Sequence, residues 1–343
     1  MLDELRAALT GGDPLVDGPL DGWEKRAVLG VPTSGSTGEP KTVLLDAEAL
    51  TTSAQATHER LGGPGTWLLA LPTGHIAGIQ VLVRSIVAGT TPGVLDMSKG
   101  FRAMGFAQDA RPVLAQPGRH YTALVPTQLS RLLVGEGPGL WTLRQFDGVL
   151  IGGAATPPKL LQQARALGVQ VVTTYGMSET AGGCVYDGEP LRDVRVRTDD
   201  VIEISGPVLA LGYRGSPEPF GEWFRTGDLG RLRDGRLEVL GRADDVIVTG
   251  GEKVPPVLVE RALSTVEGVL EACVVGVPDD EWGQVVAAVV VARGDEPSLD
   301  ELKTAVLEAV GRAAVPKLVR FVSELPLRGP GKVDRTAVAD SFR

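Results

Sequence analysis

The segment FDGVLIGGAATPPKLLQQARALGVQVVT, residues 146–173, contains one complete strand–helix–strand unit. Phe146 to Ile151 is an apolar run that predicts a strand, and Val169 to Thr173 is a β-branched run that predicts the next one. Between them, Thr156-Pro157-Pro158 is typical of a helix start, with Thr156 as the N-cap, and Gly168 is typical of a helix end. A strand, helix and strand of these lengths form a βαβ unit, which indicates an α/β fold.

The same alternation of apolar runs and amphipathic stretches extends outward from this unit, over about residues 26 to 175. After Val201 the pattern changes to short alternating strands, with Asp234-Gly235 predicting a hairpin turn. From about Ala243 the chain predicts a small α+β domain. Its predicted elements are helices at Pro256 to Leu263 and Leu299 to Val310, and strands at Ala272 to Val277, Gln284 to Val291 and Leu318 to Val322. We therefore predict a large α/β domain with a β-rich subdomain, followed by a small α+β domain.

Composition excludes several classes of protein. The chain has 343 residues, enough for two domains, and 43 acidic against 34 basic residues give a net charge of −9, which disfavours binding to nucleic acid. The longest uncharged apolar run, Val285 to Ala292, is too short to span a bilayer, so we expect no membrane insertion. The two cysteines, Cys184 and Cys273, form no metal or disulfide pattern and favour a cytoplasmic location.

A loop rich in glycine and hydroxyl groups follows an early apolar run: Thr33-Ser34-Gly35-Ser36-Thr37-Gly38-Glu39-Pro40-Lys41. Glycines let backbone N–H groups approach an anion, hydroxyls add donors and lysine adds a positive charge, so the loop is suited to phosphate. A Walker A loop is the competing interpretation. Pro40 disfavours it, because proline replaces the second glycine and removes a backbone donor. The predicted phosphate ligands are Thr33, Ser34, Gly35, Ser36, Thr37, Gly38 and Lys41.

This loop resembles the signature of the acyl-adenylate-forming superfamily, which includes acyl-CoA synthetases, luciferases and nonribosomal peptide adenylation domains. Four further stretches resemble motifs of the superfamily and occur in its order: Thr174-Tyr175-Gly176-Met177-Ser178-Glu179-Thr180, Arg225-Thr226-Gly227-Asp228, Gly241-Arg242-Ala243-Asp244-Asp245 and Pro330-Gly331-Lys332-Val333. The resemblance covers residues 33 to 335 and implies the superfamily's fold, with ATP as the nucleotide substrate.

The resemblance also implies roles for individual residues. Tyr175 would stack on adenine, Asp228 would accept hydrogen bonds from the ribose hydroxyls, and Glu179 would hold Mg²⁺. Lys332 would neutralise charge during adenylation. The other residues expected at the nucleotide are Gly152, Gly153, Ala154, Gly176, Met177, Thr180 and Arg242, and Thr174 and His75 complete the predicted catalytic set with Lys332 and Glu179.

Two half-reactions of the superfamily imply a mobile small domain. We expect a large domain at residues 1–242, a small domain at residues 243–343 and a hinge at residues 242–245, with Asp244 as the pivot. Lys332 would enter the site for adenylation, and Gly250-Gly251 would then face the pantetheine of CoA.

The acid substrate is indicated by Pro72 to Gly89, which contains His75 and, nine residues later, Arg84. Arg84 interrupts an apolar run and needs either a paired anion or access to water, so a protein carboxylate or an outward orientation is the plain alternative. His75 has a plain alternative as a core histidine. The segment resembles o-succinylbenzoate-CoA ligases of menaquinone biosynthesis. Gly182-Gly183-Cys184-Val185-Tyr186-Asp187-Gly188 strengthens the likeness to their short actinobacterial forms. That likeness implies a dicarboxylic substrate whose benzoate group binds Arg84, with His75 and Gly153 also in the acyl pocket.

One departure from the superfamily is that its members usually carry a substantial N-terminal subdomain before the phosphate loop, which here begins at Thr33. We therefore expect an N-terminally shortened form, in which the surface that the subdomain covers is exposed or forms a homodimer contact. Two other functions stay open: a ligase of the same superfamily for another aryl or dicarboxylic acid, and an adenylate-binding module without catalysis.

Overall fold

The computed structural model describes residues 1–34, 40–328 and 332–342. Its α-helices are α1 (Leu2–Leu9), α2 (Ala47–Arg60), α3 (Ile76–Ala88), α4 (Ala103–Leu114), α5 (Pro126–Leu132), α6 (Pro138–Leu143), α7 (Pro158–Ala166), α8 (Pro256–Leu263), α9 (Leu299–Ala309) and α10 (Arg335–Asp340). Its strands are β1 (Leu29–Ser34), β2 (Pro40–Leu45), β3 (Gly65–Leu69), β4 (Gly93–Val94), β5 (Arg119–Leu124), β6 (Gly148–Ile151), β7 (Val171–Met177), β8 (Gly182–Tyr186), β9 (Glu189–Pro190), β10 (Arg195–Asp199), β11 (Val201–Ser205), β12 (Gly212–Tyr213), β13 (Phe224–Arg233), β14 (Arg236–Arg242), β15 (Ile247–Thr249), β16 (Glu252–Val254), β17 (Val269–Asp279), β18 (Gly283–Ala292), β19 (Leu318–Val322), β20 (Leu327–Arg328) and β21 (Lys332–Val333). Short 3-10 helices lie at Gly22–Arg26, Ser178–Thr180 and Arg312–Ala314.

A mixed sheet of seven strands forms the centre of the large domain, in the order β4-β3-β5-β6-β7-β8-β9. Its strands run parallel from β4 to β7, and β8 and β9 then add antiparallel. The predicted βαβ unit is present as β6, α7 and β7. Because parallel strands have their carboxyl ends at one edge, the loops after β6 and β7 meet there, where ligands bind in such sheets.

The start of α7 differs from the prediction. Pro157, rather than Thr156, occupies the cap position, and no side chain caps the helix. The helix then begins at Pro158, where the absent N–H of proline costs nothing because the first N–H groups have no partner within the helix.

Two smaller sheets complete the first part of the chain. One has the order β10-β11-β13-β14, and the other has the order β1-β2-β12. The predicted hairpin joins β13 to β14, with positive φ at both Asp234 (51°) and Gly235 (77°). Positive φ at both central residues is the requirement of a type I′ turn, which explains why Asp-Gly indicated it.

The final part contains the predicted small α+β unit. Strands β16, β15, β18 and β17 form one sheet with β19 added to β18 in parallel, and α8 lies at the predicted residues. The hydrophobic core of the large part includes Leu237, whereas a separate core begins at Ile247. The domain boundary between residues 242 and 243 stays a prediction. No helix in the described ranges is both long and apolar enough to cross a membrane.

Candidate active site

A cleft of about 2900 Å³ opens between the carboxyl edge of the central sheet and the small domain. Two cross-domain contacts hold its walls: Lys159 Nζ donates to the Val266 carbonyl at 3.0 Å, and Arg261 pairs with Glu238 at 3.0 Å. The predicted site residues that line the cleft are Thr33, Lys41, His75, Arg84, Gly152, Gly153, Ala154, Thr174, Tyr175, Gly176, Met177, Glu179, Asp228, Arg242 and Asp244.

The predicted phosphate loop is described at its two ends. Thr33 and Lys41 are paired across β1 and β2, and Thr33 Oγ1 donates a hydrogen bond to the Lys41 carbonyl at 3.1 Å. The side chain of Ser34 and the predicted ligands Gly35, Ser36, Thr37 and Gly38 lie outside the described residues.

Close backbone packing shapes the floor of the predicted adenine site. A Cβ atom at Gly152 would lie 2.2 Å from Thr174 Oγ1, and one at Gly176 would lie 2.0 Å from the Gly182 carbonyl oxygen. Neither position therefore accepts a side chain. Gly153 has φ of 79°, a conformation that favours glycine. Close packing thus fixes the main chain of Gly152 and Gly176, and Gly152 to Ala154 line the cleft.

The predicted ribose carboxylate, Asp228, has a partner on each oxygen. Tyr175 Oη donates to Asp228 Oδ2 at 2.8 Å, and Arg242 Nη1 lies 3.3 Å from Asp228 Oδ1. Burial and the Asp228 charge raise the pKa of Tyr175, which keeps its hydroxyl a donor. Because each carboxylate oxygen has two lone-pair sites, both can still accept from a ribose diol.

Glu179 is held by a residue that the sequence did not indicate. Tyr213 Oη donates to Glu179 Oε1 at 2.8 Å, and Lys41 Nζ lies 5.0 Å from the centre of the Tyr213 ring. Oε2 of Glu179 has no hydrogen-bond partner among the described residues. The tyrosine therefore connects the predicted metal ligand with the lysine of the phosphate loop.

Magnesium fits this donor set. No group of three or more His, Cys, Asp or Glu residues that could hold a metal ion occurs in the part of the chain that the structure describes. Mg²⁺ needs fewer protein ligands, because one or two carboxylates are completed by water and substrate phosphates. Glu179, with one oxygen directed by Tyr213 and the other available, supplies a carboxylate of that kind.

Thr180 lies apart from the other predicted nucleotide residues. It is buried and does not line the cleft. Its hydroxyl accepts from the Met177 N–H at 2.9 Å and donates to the Gly182 carbonyl at 2.8 Å. The hydroxyl is thus occupied in shaping the turn after β7.

Arg84 is a buried cation surrounded by neutral groups. Only 3% of it is exposed, its Nη2 donates to Tyr186 Oη at 3.3 Å, and its guanidinium lies 5.0 Å from the centre of the Trp67 ring. Its Nε is buried and has no hydrogen-bond partner in the described part of the chain. No carboxylate of the described residues lies within 4.0 Å of it, so the alternative of a protein ion pair finds no partner there.

His58 completes the neutral surroundings. It accepts from Trp67 Nε1 at 3.3 Å, and burial together with the nearby Arg84 charge lowers the pKa of His58 to about 4. A neutral histidine provides no compensation for a guanidinium, and burial also lowers the pKa of Arg84. Since arginine keeps its proton in proteins, the site carries a positive charge that no carboxylate of the described residues compensates.

His75 and Arg84 lie toward opposite ends of α3, and both line the cleft. His75 is the N-cap of α3, and its side chain is exposed at the cleft without capping the helix. It is therefore not the core histidine of the plain alternative. Side chains of a helix lean toward its N-terminus, so the Arg84 side chain extends in the direction of His75.

The predicted hinge is anchored on both sides. Arg242 contacts Asp228 and, through Nη2, Asp244 at 3.2 Å. On the small-domain side, Arg335 Nε lies 3.5 Å from Asp245 Oδ2 while its Nη2 pairs with the buried Glu260 at 2.8 Å. Asp244 thus stands between a residue fixed to the large domain and one fixed to the small domain.

The two predicted catalytic features of the small domain have different positions. Lys332 belongs to β21, which pairs with β20, and its side chain lies outside the described residues. Its neighbour Val333 lines the cleft. Gly250 and Gly251 form the turn of the β15–β16 hairpin and do not line the cleft.

Known proteins with similar sequences identify the family. A family model described as AMP-binding enzyme matches residues 3–211. The chain belongs to the AMP-binding enzyme family. A second model, the AMP-binding enzyme C-terminal domain, matches residues 258–332. A probable 2-succinylbenzoate–CoA ligase from Mycobacterium tuberculosis is 49% identical over 325 residues, which span 92% of this chain and 84% of that protein.

Solved structures of AMP-binding enzymes agree. The o-succinylbenzoate CoA synthetase from Bacillus subtilis, in complex with the acyl-adenylate intermediate OSB-AMP, has a TM-score of 0.75 and 28% identity, covering 91% of this chain and 69% of that one. ATP-bound MatB from Rhodopseudomonas palustris has a TM-score of 0.79 and 26% identity, covering 94% of this chain and 69% of that one. The adenylate-forming fold predicted from the ordered motifs is confirmed.

Proposed function

We propose that this chain is an ATP-dependent o-succinylbenzoate-CoA ligase that acts through an acyl-adenylate. The observation that carries the proposal is the buried guanidinium of Arg84 beside the cleft, with a free Nε and no carboxylate partner among the described residues. A buried charge of this kind is costly unless an anion compensates it. An acid with a second carboxylate supplies that anion, whereas a simple fatty acid does not.

The acid would bind with its benzoate group at Arg84 and its succinyl carboxylate toward the nucleotide. Arginine binds carboxylates through two parallel hydrogen bonds, and Arg84 lines the cleft with its buried Nε still without a partner among the described residues. His75, at the N-terminal end of α3, and Gly153 would border the reacting carboxylate. The names of the Mycobacterium and Bacillus relatives support the same substrate.

The nucleotide would extend across the edge of the central sheet. Adenine would lie between Tyr175 and the backbone of Gly152 to Ala154, and the ribose hydroxyls would donate to Asp228. The phosphates would be held by the loop from Thr33 to Lys41. The cleft, the paired oxygens of Asp228 and the ATP-bound neighbour support this placement.

Two bond exchanges would follow. An oxygen of the succinyl carboxylate attacks the α-phosphorus of ATP, forming the acyl-adenylate as pyrophosphate leaves. The CoA thiol then loses its proton and its sulfur attacks the acyl carbon, so that the thioester forms and AMP leaves. Mg²⁺ bound to Glu179 and phosphate would neutralise charge in the first exchange. Lys332 would do the same at the reacting carboxylate, and Thr174 lies beside the site.

The small domain would serve both exchanges by turning about Asp244. In the described orientation of the small domain, Val333 lies at the cleft and Gly250-Gly251 lie away from it. This supports assigning that orientation to the adenylation step. A turn would withdraw Lys332 and bring the two glycines to the pantetheine of CoA. The absence of a disulfide between the two free cysteines, Cys184 and Cys273, supports a cytoplasmic enzyme.

The test is release of AMP by purified protein supplied with ATP, Mg²⁺, CoA and o-succinylbenzoate. We expect turnover that depends on both CoA and the dicarboxylic acid, with benzoate and succinate as poor substrates. If the protein prefers another aryl or dicarboxylic acid, the proposed chemistry is retained and the proposed substrate is wrong. Absence of acid-dependent exchange of pyrophosphate into ATP, with every acid tried, would favour the adenylate-binding module without catalysis.

A further inference from the structure

Tyr213 lies where strand pairing brings the phosphate-loop lysine close to Glu179. It belongs to the two-residue strand β12, which pairs with β2 so that Tyr213 is opposite Val43. Lys41 is two residues before Val43 and therefore projects on the same face of β2. A diagonal neighbour at this spacing is within reach of an aromatic side chain, and the Lys41 ammonium is 5.0 Å from the ring centre.

Glu179 is attached to the same segment twice. Its side chain accepts from the Tyr213 hydroxyl at 2.8 Å, and its main-chain carbonyl accepts from the Ala210 N–H at 2.8 Å. The ring of Tyr213 is itself braced by Phe220, at 5.0 Å in an edge-to-face arrangement. A tyrosine held on its ring and directed by its strand offers a fixed donor to the carboxylate.

We propose that Tyr213 is a positioning residue, whose hydroxyl orients the Glu179 carboxylate and whose ring holds the Lys41 ammonium. The inference rests on the proposed function, in which Glu179 holds Mg²⁺ and Lys41 binds phosphate. The two parts of the side chain have separable tasks. The hydroxyl fixes one carboxylate oxygen and leaves the other for the cation, while the electron-rich face of the ring attracts the lysine.

The experiment measures ATP binding by calorimetry on the full chain, with Mg²⁺ and with EDTA, and needs no turnover. Tyr213→Phe removes only the hydroxyl. We expect its affinity for ATP in EDTA to stay within about twofold of the parent. The gain from Mg²⁺, meaning the factor by which Mg²⁺ increases the affinity for ATP, should fall about tenfold, as expected for loss of a hydrogen bond to a charged group. Tyr213→Leu removes the ring as well and should lower the EDTA affinity about threefold.

Tyr121→Phe is the matched control, because the Tyr121 hydroxyl donates to the carbonyls of Leu61 and Gly63 outside the cleft. It should bind ATP like the parent in both buffers. Thermal melting of each variant checks that it is folded. A Tyr213→Phe variant with unchanged gain from Mg²⁺ would overturn the proposal.

Glu179→Gln separates this inference from the proposed function. If Glu179→Gln keeps the full gain from Mg²⁺, Glu179 is not the metal ligand and that part of the proposed function fails. If Glu179→Gln loses the gain while Tyr213→Phe keeps it, only the role of Tyr213 fails. Loss in both variants, with Tyr121→Phe unaffected, supports both.

Discussion

The hydroxyl of Tyr186 accepts a hydrogen bond from Arg84 Nη2 at 3.3 Å. Its own proton goes to Thr57 Oγ1, 2.9 Å away, because the Thr57 hydroxyl already donates to the Ser53 carbonyl at 2.9 Å. The direction of these two hydrogen bonds leaves a lone pair of Tyr186 facing the guanidinium. Arg84 is therefore held by a neutral group, and the positive charge of its guanidinium stays available to a bound anion.

Arg84→Ala should remove the binding site for the second carboxylate. We expect kcat/KM for o-succinylbenzoate to fall at least about 100-fold, equivalent to about 3 kcal/mol for a desolvated charge pair, while the KM for ATP stays near that of the parent. Steady-state AMP release measures both. Arg26→Ala, which changes an arginine on the surface paired with Asp46, is the control. If Arg84→Ala turns over the acid like the parent, the substrate assignment is wrong.

Tyr186→Phe should weaken the same site by loosening Arg84. The guanidinium would lose one acceptor and keep its contact with Trp67, so we expect the KM for the acid to rise about fivefold with kcat within about twofold. Acid-dependent kinetics at saturating ATP provide the measurement. An equal loss for ATP and acid would instead indicate general damage to the fold.

Asp228→Asn should reduce discrimination at the ribose. The parent is expected to bind 2′-deoxy-ATP about tenfold more weakly than ATP, since a ribose hydroxyl donates to the charged carboxylate. The variant should bind ATP more weakly and show little difference between the two nucleotides. Competition calorimetry measures both affinities. If the variant still binds ATP and 2′-deoxy-ATP with the same difference in affinity as the parent, the ribose does not bind at Asp228.

Lys332→Ala and Gly251→Leu should impair opposite half-reactions. The lysine variant should lose pyrophosphate exchange by at least about 100-fold and still convert supplied acyl-adenylate and CoA to thioester. The glycine variant should retain exchange and lose thioester formation, because a side chain would obstruct the pantetheine path. A Cβ at Gly251 meets no atom within 4 Å in the described orientation, although its φ of 85° strains any replacement. If both variants lose the same step, the two-orientation cycle is not supported.

His58 should make stability depend on pH. Its folded pKa of about 4 lies below the ordinary value of 6.5, so the unfolded chain takes up a proton in this interval that the folded chain does not. The contribution is complete above pH 6.5 and is lost progressively as pH falls toward 4, by about 3 kcal/mol in the free energy of unfolding. Urea titrations from pH 7 to 4 should show a shallower decline in His58→Gln. His120→Gln should decline like the parent.

Local chemistry accounts for what the sequence predicted well. Asp234-Gly235 indicated a hairpin because both residues adopt the required positive φ, and the helix Pro256–Leu263 has the predicted bounds because proline and apolar periodicity mark it. The ordered motifs identified the family for a similar reason. Each is a short contiguous stretch whose residues act together, so Asp228 and Glu179 could be singled out without coordinates.

Contacts between distant residues account for what it missed. Tyr213 reaches Glu179 over a separation of 34 residues, and Tyr186 reaches Arg84 over 102, through tertiary contacts that no local pattern encodes. Thr180 is the opposite case, a residue that a local motif singled out. Its motif indicated a nucleotide ligand, yet its hydroxyl is occupied by the turn. The position of Gly250-Gly251 away from the cleft depends on domain orientation, which a local motif does not specify.

The guanidinium of Arg84 is buried without a carboxylate partner among the described residues. It is therefore expected to lower the thermostability of the protein while it determines which acid binds. Replacing it by methionine would remove a desolvated charge and should make the empty protein more resistant to heat, as apolar replacements of buried ions often do. The same replacement would convert a pocket for dicarboxylates into one for apolar acids. Selection for a higher melting temperature alone would therefore be expected to reduce activity on the dicarboxylic acid first.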